Sequence, residues 1–257
     1  MTVIKNILIR LLSIIPSKLD RISVLMYHSV SDSKALFAVS AKDFEKQMQY
    51  IHDSGFTTIF TSEIVPATSS KNTVCVTFDD GYADVFTNAF PILKKHRIKA
   101  TVFLITNELG GSYTNSEGLT FPLLTRGQIT EMHGSGIIEF MPHGHTHRKF
   151  SGMTDEEQER EIVASRDIVH ELTGRRADVF AYPRGKKASA SSALLAKHGY
   201  TMAFGVRPGL IRKTPDPYLL PRNAVDRRVT FSEFKLKASN RIRWYALVTS
   251  LWRDKHI

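Results

Sequence analysis

The sequence predicts an α/β fold with a parallel sheet or barrel. Short runs of apolar and β-branched residues alternate with stretches of helical periodicity through most of the 257 residues, and this alternation is typical of parallel sheets. The composition, 42% hydrophobic and 23% charged, is that of a globular protein and excludes wholesale disorder. No internal repeat is evident. The predicted strands are 24–30, 57–60, 74–78, 100–105, 137–140, 179–182 and 201–206.

Two of the predicted helices begin at clear capping residues. Ser40 is the expected N-cap of a helix over 40–54, and Thr154 with Glu157 forms a capping box for a helix over 154–173. The polar stretch 107–124 is expected to be a long loop, and loops of that length usually carry function or disorder. Further helices are predicted at 83–96, 125–135 and 189–198.

Both ends of the chain have amphipathic character. Residues 4–19 place isoleucine and leucine at helical spacing, and residues 231–257 form a basic stretch containing Trp244 and Trp252. Each end is expected to be a helix that either lies in a membrane interface or packs on the barrel. No stretch reaches the roughly 18 uninterrupted apolar residues of a spanning helix. The expected division is 1–21 for the N-terminal helix, 22–230 for the barrel and 231–257 for the C-terminal helix.

The formal net charge of +10 indicates an anionic partner. An anionic membrane surface is expected, whereas nucleic acid is not, because the chain has no recognised binding motif and no clustered aromatic platform. Cys75 is the single cysteine. An intramolecular disulfide and a cysteine-based zinc cluster are therefore excluded, and Cys75 is expected to be a small buried strand residue.

Two adjacent carboxylates, Asp79 and Asp80, end the predicted strand 74–78 and are followed by Gly81. Neighbouring residues of an extended strand point to opposite faces, so the two side chains are expected to have different roles. Buried carboxylates need a metal or another cation to compensate them. A turn without function is the alternative, since Asp-Asp-Gly is also a common way to end a strand.

His143 and His147 follow another predicted strand and lie four residues apart. Two neutral imidazoles and one carboxylate make a common divalent-metal site. Solvated loop histidines are the alternative if the cluster is taken alone. Because the carboxyl ends of parallel strands form the active face of α/β barrels, both motifs are expected at one site built from two loops.

These motifs resemble those of the NodB-type polysaccharide deacetylases, carbohydrate esterase family 4. Thr-Phe-Asp-Asp-Gly at 77–81 is similar to the first family motif. His-Gly-His-Thr-His at 143–147 is similar to the second, His-Ser/Thr-x-x-His, with Gly144 in the Ser/Thr position. Phe-Ala-Tyr-Pro-Arg-Gly at 180–185 resembles a variant of the third, and Leu-Met-Tyr-His at 25–28 resembles the opening strand of many members. The resemblance spans about residues 22–226.

The resemblance implies a distorted (β/α)7-like barrel that hydrolyses N-acetyl groups of amino sugars with a divalent metal. By position, Asp80, His143 and His147 would bind the metal, with Zn²⁺ preferred and Co²⁺, Ni²⁺ or Mn²⁺ as alternatives. Asp79 would be the general base that takes a proton from the attacking water. A backbone N–H near Arg184 would stabilise the oxyanion.

The chain also departs from the family pattern. The usual Leu-x-His that supplies a general acid has no counterpart in 219–225, and the third motif lacks the arginine that orients the catalytic aspartate. Arg222 is expected to replace that arginine by pairing with Asp79. His28 is the remaining candidate for the acid, and a packing or hydrogen-bonding role is its alternative. Arg184 is expected either at the solvated rim or on a substrate phosphate. Substrate-binding and oxyanion roles are expected for Tyr182, Pro183 and Arg184.

Three functions are consistent with the sequence. The first is a metal-dependent N-deacetylase acting on a polysaccharide or lipid-linked glycan precursor and releasing acetate. The second is a related deformylase of a lipid-linked formamido sugar, and the third is a non-catalytic glycan-binding module. The intact carboxylates and histidines favour an enzyme. A basic enzyme with amphipathic ends is expected in the cytoplasm, peripheral at the inner face of the membrane.

Overall fold

The computed structural model describes residues 9, 11, 21–64, 72–115, 118–211, 216–239 and 241. Strands and helices alternate along this part of the chain, as predicted. The strands are β1 (Ser23–Tyr27), β2 (Ser29–Val30), β3 (Ala38–Val39), β4 (Thr57–Thr58), β5 (Thr73–Phe78), β6 (Ala100–Leu104), β7 (Ser112–Thr114), β8 (Thr120–Pro122), β9 (Ile138–Pro142), β10 (Val179–Ala181), β11 (Met202–Phe204) and β12 (Asn223–Ala224). The helices are α1 (Ala41–Asp53), α2 (Phe90–His96), α3 (Arg126–Gly134), α4 (Asp155–Thr173), α5 (Ser191–Lys197) and α6 (Phe231–Ala238).

A parallel sheet forms the centre of the fold. Its order is β12-β1-β5-β6-β9, with β4 beside the beginning of β5. The parallel pair β10-β11 continues the ring, since β10 lies against β9 and a parallel bridge joins Phe204 of β11 to Leu220 before β12. Among the described residues, β9 and β10 share no ladder of hydrogen bonds, and one bridge joins β11 to the segment before β12. The barrel is therefore distorted on this side. The predicted distorted (β/α)7-like barrel is confirmed.

Burial on both faces explains why the central strands read as continuous apolar runs. Every residue of β1 and β5 is buried, as expected of parallel strands that are covered by helices on one face and fill the barrel on the other. Cys75 is fully buried within β5, as predicted. Helix α1 packs Phe44, Met48 and Ile51 inward, and its N-cap is the predicted Ser40, which accepts a hydrogen bond from the backbone N–H of Asp43.

Two segments differ from the sequence-based expectation. The predicted helix 83–96 begins with a π-helical segment, Val85–Ala89, before α2. Pro91 has no N–H to complete an α-helical hydrogen bond, so a wider turn precedes it. The predicted loop 107–124 contains the antiparallel hairpin β7-β8, in which Tyr113 pairs with Phe121.

The predicted C-terminal helix begins at Phe231 but ends at Ala238, and Ser239 is extended. Residues 242–257 and most of the predicted N-terminal helix lie outside the described residues, and the domain boundaries stay predictions. None of the described helices is long and apolar enough to cross a membrane. Arg21 and Arg241 line one pocket with Thr73, the first residue of β5, at the amino ends of the strands.

Candidate active site and metal centre

The candidate site lies at the carboxyl ends of the central strands. Asp79 and Asp80 follow β5, His143 follows β9, and His28 follows β1. The backbone continues the strand pairing at these positions: the N–H of Asp79 donates to the Tyr27 carbonyl at 2.9 Å. The two loops that the sequence predicted to form one site therefore meet there.

A sharp turn after β5 orients Asp80. Asp80 has φ 70° and Gly81 has φ 73°, a left-handed conformation that is costly for a residue with a side chain. A Cβ on Gly81 would lie 2.7 Å from the Leu104 side chain, so a larger residue would strain the backbone and displace that side chain. The turn gives Asp79 and Asp80 different environments, as the strand alternation predicted.

Three ligand atoms converge on one point. Asp80 Oδ1 lies 3.4 Å from His143 Nε2 and 3.2 Å from His147 Nε2, and it is buried without a hydrogen-bond partner. His143 Nδ1 lies 2.8 Å from the Ala181 carbonyl, which can only accept, so Nδ1 is the donor and Nε2 is the atom that faces Asp80. His147 Nδ1 lies 2.7 Å from the Tyr113 hydroxyl. This donor set fits a divalent cation.

The charge states of these side chains suit metal binding. Burial lowers the pKa of His147 to about 4, so its imidazole is neutral near pH 7. Burial by itself would raise the pKa of Asp80, but His147, His28 and His143 hold it below its ordinary value. A neutral imidazole and an ionised carboxylate are the forms that ligate metals.

Asp79 is paired with Arg222 in the barrel interior. Arg222 Nη1 and Nη2 donate to the two carboxylate oxygens at 2.6 and 2.7 Å, and Nε donates to the Gly205 carbonyl at 3.0 Å. The fully buried guanidinium also lies over the rings of Phe103 and Phe204. Burial by itself would raise the pKa of Asp79, but Arg222 holds it well below its ordinary value. The predicted ion pair is present, and it keeps Asp79 ionised.

Glu161 of α4 holds the histidine loop, and sequence reasoning missed it. Its buried carboxylate accepts hydrogen bonds from the backbone N–H groups of His145 and Thr146 at 2.7 and 2.8 Å, and from the Thr146 hydroxyl. A Cβ on Gly144, whose φ is 82°, would lie 3.2 Å from this carboxylate and 3.3 Å from Pro183. The position of Glu161 on the buried stripe of α4 was the available signal.

His28 lies close to the two aspartates. It follows Tyr27 at the end of β1, it lowers the pKa of both Asp79 and Asp80, and its ring packs against Phe37 at 5.4 Å. The side chain is only partly buried. The structure therefore brings the predicted acid candidate to the site, while its role stays a prediction.

Within the third motif, Tyr182 and Pro183 are buried, whereas Arg184 is exposed. The Tyr182 ring is fully buried and packs edge-on against Phe150 and Phe180, and the substrate-binding or oxyanion role expected for this residue stays a prediction. Pro183 is buried too. Arg184 has φ 58° and an exposed side chain. This left-handed turn is where the predicted oxyanion N–H would have to lie.

Replacing Asp80 by asparagine should weaken Zn²⁺ binding strongly, because a charged ligand oxygen is lost. The expected loss of affinity exceeds the roughly 10–100-fold that is usual when a residue that hydrogen-bonds to a metal ligand is replaced. Competition with a chromogenic chelator measures the dissociation constant, and Asp178→Asn, at the start of β10, is the matched control. Equal affinities in Asp80→Asn and in the unmodified protein would show that the cluster is not a metal centre.

Comparisons with known proteins agree with this geometry. The family model for polysaccharide deacetylases matches residues 67–203. The chain is 31% identical over 224 residues to Bacillus subtilis YxkH, covering 85% of this chain and 75% of that protein. It is 29% identical over 207 residues to the poly-beta-1,6-N-acetyl-D-glucosamine N-deacetylase of Staphylococcus epidermidis, covering 75% and 70% of the two chains.

Solved structures show the same fold. IcaB from Ammonifex degensii superposes with a TM-score of 0.74 at 26% identity, covering 86% of this chain and 97% of that one. BC0361, a polysaccharide deacetylase from Bacillus cereus, also gives a TM-score of 0.74, at 25% identity, covering 86% and 70%. Fold, motif positions and the family match lead to one conclusion: the chain belongs to the polysaccharide deacetylase family.

Proposed function

We propose that this protein hydrolyses the N-acetyl group of an amino sugar in a polysaccharide or lipid-linked glycan precursor and releases acetate. One observation carries the proposal. The unpartnered Oδ1 of Asp80 faces two imidazole nitrogens, and the ionised Asp79 lies beside them, with its Oδ2 3.8 Å from His143 Nε2. A metal centre next to a separate base is what amide hydrolysis requires.

Asp80, His143 and His147 would hold the cation, and we propose Zn²⁺, because two imidazoles and a carboxylate form a common catalytic zinc site. When bound, it would supply Lewis-acid polarisation of the acetyl carbonyl and a lowered pKa for water. Asp79 takes the proton of the attacking water on a carboxylate oxygen. Arg222 fixes the orientation of that carboxylate and keeps it ionised. The backbone N–H at Arg184 donates to the oxyanion.

His28 is proposed to donate a proton to the leaving amine, because it is the described histidine beside Asp79 and Asp80 that is not a proposed metal ligand. His28→Gln keeps a polar side chain of similar size but removes the transferable proton. We expect kcat to fall by about 10²–10⁴-fold, with unchanged Zn²⁺ affinity. The measurement is kcat and kcat/KM across pH, with His170→Gln on α4 as the control. An unchanged pH–rate profile would exclude His28 as the acid.

The substrate class follows from the family and from the named activity of the Staphylococcus epidermidis relative. We expect zinc-reconstituted protein to release acetate from oligomers of β-1,6-linked N-acetylglucosamine. Coupled enzymatic assays for acetate and for formate, run on acetylated and formylated amino sugars, separate a deacetylase from a deformylase. Release of neither product from any donor, with zinc bound, would instead favour a glycan-binding module.

Peripheral attachment to the cytoplasmic face of a membrane is the second part of the proposal. The net charge of +10, the tryptophans Trp244 and Trp252 and the flanking basic residues support it, because tryptophan suits the headgroup region and cations attract anionic lipid. We expect the protein to float with vesicles containing phosphatidylglycerol. A variant with both tryptophans changed to serine should float less. If wild type and variant both stay in the soluble fraction, the result supports the alternative, in which both ends of the chain pack on the barrel.

A further inference from the structure

The two proposed histidine ligands are held in different ways. His143 Nδ1 donates to a backbone carbonyl, that of Ala181, which no substitution in the site can remove. His147 has φ 58° and lies at the end of the loop. Its Nδ1 contacts the hydroxyl of Tyr113 at 2.7 Å. The orientation of this second ligand therefore depends on one side chain from a different segment.

Ring packing adds to the hydrogen bond. The Tyr113 and His147 rings meet edge-on, with centroids 4.9 Å apart and an interplanar angle of 86°. An imidazole that offers Nε2 to a metal must carry its proton on Nδ1, so Nδ1 donates to the Tyr113 oxygen. The Arg184 guanidinium interacts with the same hydroxyl and can only donate. The Tyr113 oxygen is thus the acceptor in its contacts with both His147 and Arg184.

Backbone hydrogen bonds join the hairpin that carries Tyr113 to the turn that carries the third proposed ligand, Asp80. The Ala83 N–H donates to the Pro122 carbonyl at 2.8 Å, and the Leu124 N–H donates to the Gly81 carbonyl at 2.9 Å. Phe121, the cross-strand partner of Tyr113, packs on Tyr82 with ring centroids 4.9 Å apart. The hairpin therefore spans from the Asp80 turn to the His147 loop.

We propose that Tyr113 is a positioning residue for His147, and that the β7-β8 hairpin thereby sets the affinity and geometry of the cation site. The inference rests on the proposed metal centre and adds a residue that does not touch the cation. Loss of such a hydrogen bond to a ligating histidine typically weakens metal binding by about 10–100-fold.

The test is Tyr113→Phe, which keeps the ring and its packing but removes the hydroxyl. The matched control is Tyr218→Phe. The Tyr218 hydroxyl donates to the Tyr200 carbonyl at 3.0 Å, next to the apolar cluster that contains Phe150, Phe180 and Tyr182. For each full-length protein, Zn²⁺ affinity is measured by chelator competition, the Co²⁺ absorption spectrum is recorded, and the melting temperature is measured without metal.

We expect Tyr113→Phe to bind Zn²⁺ about 10–100-fold more weakly and to shift the Co²⁺ visible bands, while its metal-free melting temperature stays at the wild-type value. Tyr218→Phe should leave both metal readouts unchanged. Equal Zn²⁺ affinity and identical Co²⁺ spectra in wild type and Tyr113→Phe would overturn the role of Tyr113 but leave the proposed metal centre intact. A wild-type protein that binds neither cation would overturn the inference together with the metal centre.

Discussion

Replacing Asp79 by asparagine should lower kcat by about 10²–10⁴-fold, the usual contribution of a positioned acid or base, and leave Zn²⁺ affinity close to wild type. The amide has the size of the carboxylate but cannot take a proton from water. Asp79 is not one of the three converging ligands, so the cation site should survive. A residual rate within a few-fold of wild type would exclude Asp79 as the base.

The stability of this variant must be measured alongside its activity, because Arg222 loses its buried partner. The Arg222 side chain is fully buried, and an uncompensated buried charge is costly. Thermal melting curves of wild type and Asp79→Asn identify an assay temperature at which both proteins are folded. Asp178→Asn is a suitable control, since Asp178 also pairs with an arginine, Arg176, but at the amino end of β10.

Replacing Arg222 by methionine should destabilise the protein by about 3–5 kcal/mol, the usual effect of removing one partner from a buried ion pair. The Asp79 carboxylate would keep its burial but lose both guanidinium hydrogen bonds. Chemical denaturation near pH 7 measures the difference. A loss below about 1 kcal/mol, the range of exposed pairs, would contradict the buried-pair interpretation.

The same substitution should change the pH dependence of catalysis in a defined direction. Arg222 holds the pKa of Asp79 well below its ordinary value, and without it burial raises that pKa. Because a base must be deprotonated to act, activity should be lost at a higher pH in Arg222→Met than in wild type as the solution is acidified. The acidic limb of kcat/KM against pH is the measurement, and an unmoved limb would exclude this role for Arg222.

A double variant, Asp79→Asn with Arg222→Met, separates pairing from packing. Removing both charges leaves neither one buried alone, so the combined loss of stability should be smaller than the sum of the two single losses. Additive losses would mean that the two side chains stabilise the barrel independently.

Much of the fold and the principal site residues could be predicted because their signals are local. The continuous apolar run of β5 and its abrupt end at Asp79 reflect a strand buried on both faces. Thr154 and Glu157 form the predicted capping box at the start of α4. The two motifs were expected at one site because both follow strands, and parallel strands end at one face. The family resemblance then implied which of their residues, Asp80, His143 and His147, lie together.

The features that were missed depend on contacts between distant segments. Tyr113 reaches His147 across a separation of 34 residues, and a polar stretch with two three-residue strands gives no periodic signal for a hairpin. The sequence indicates only that Glu161 lies on a helix, whereas the structure shows its three hydrogen bonds to the histidine loop. Tyr182 follows a strand as the site residues do, and only the structure shows that its ring packs against Phe150 and Phe180.

The length of β5 separates the two ends of the barrel. Arg21 and Arg241 lie beside Thr73 at the amino end of this strand, whereas Asp79 follows its carboxyl end, about 20 Å away at roughly 3.3 Å per residue. Changes at the two arginines and changes at Asp79 should therefore have additive effects on stability, as expected of sites that are this far apart and share no contacts.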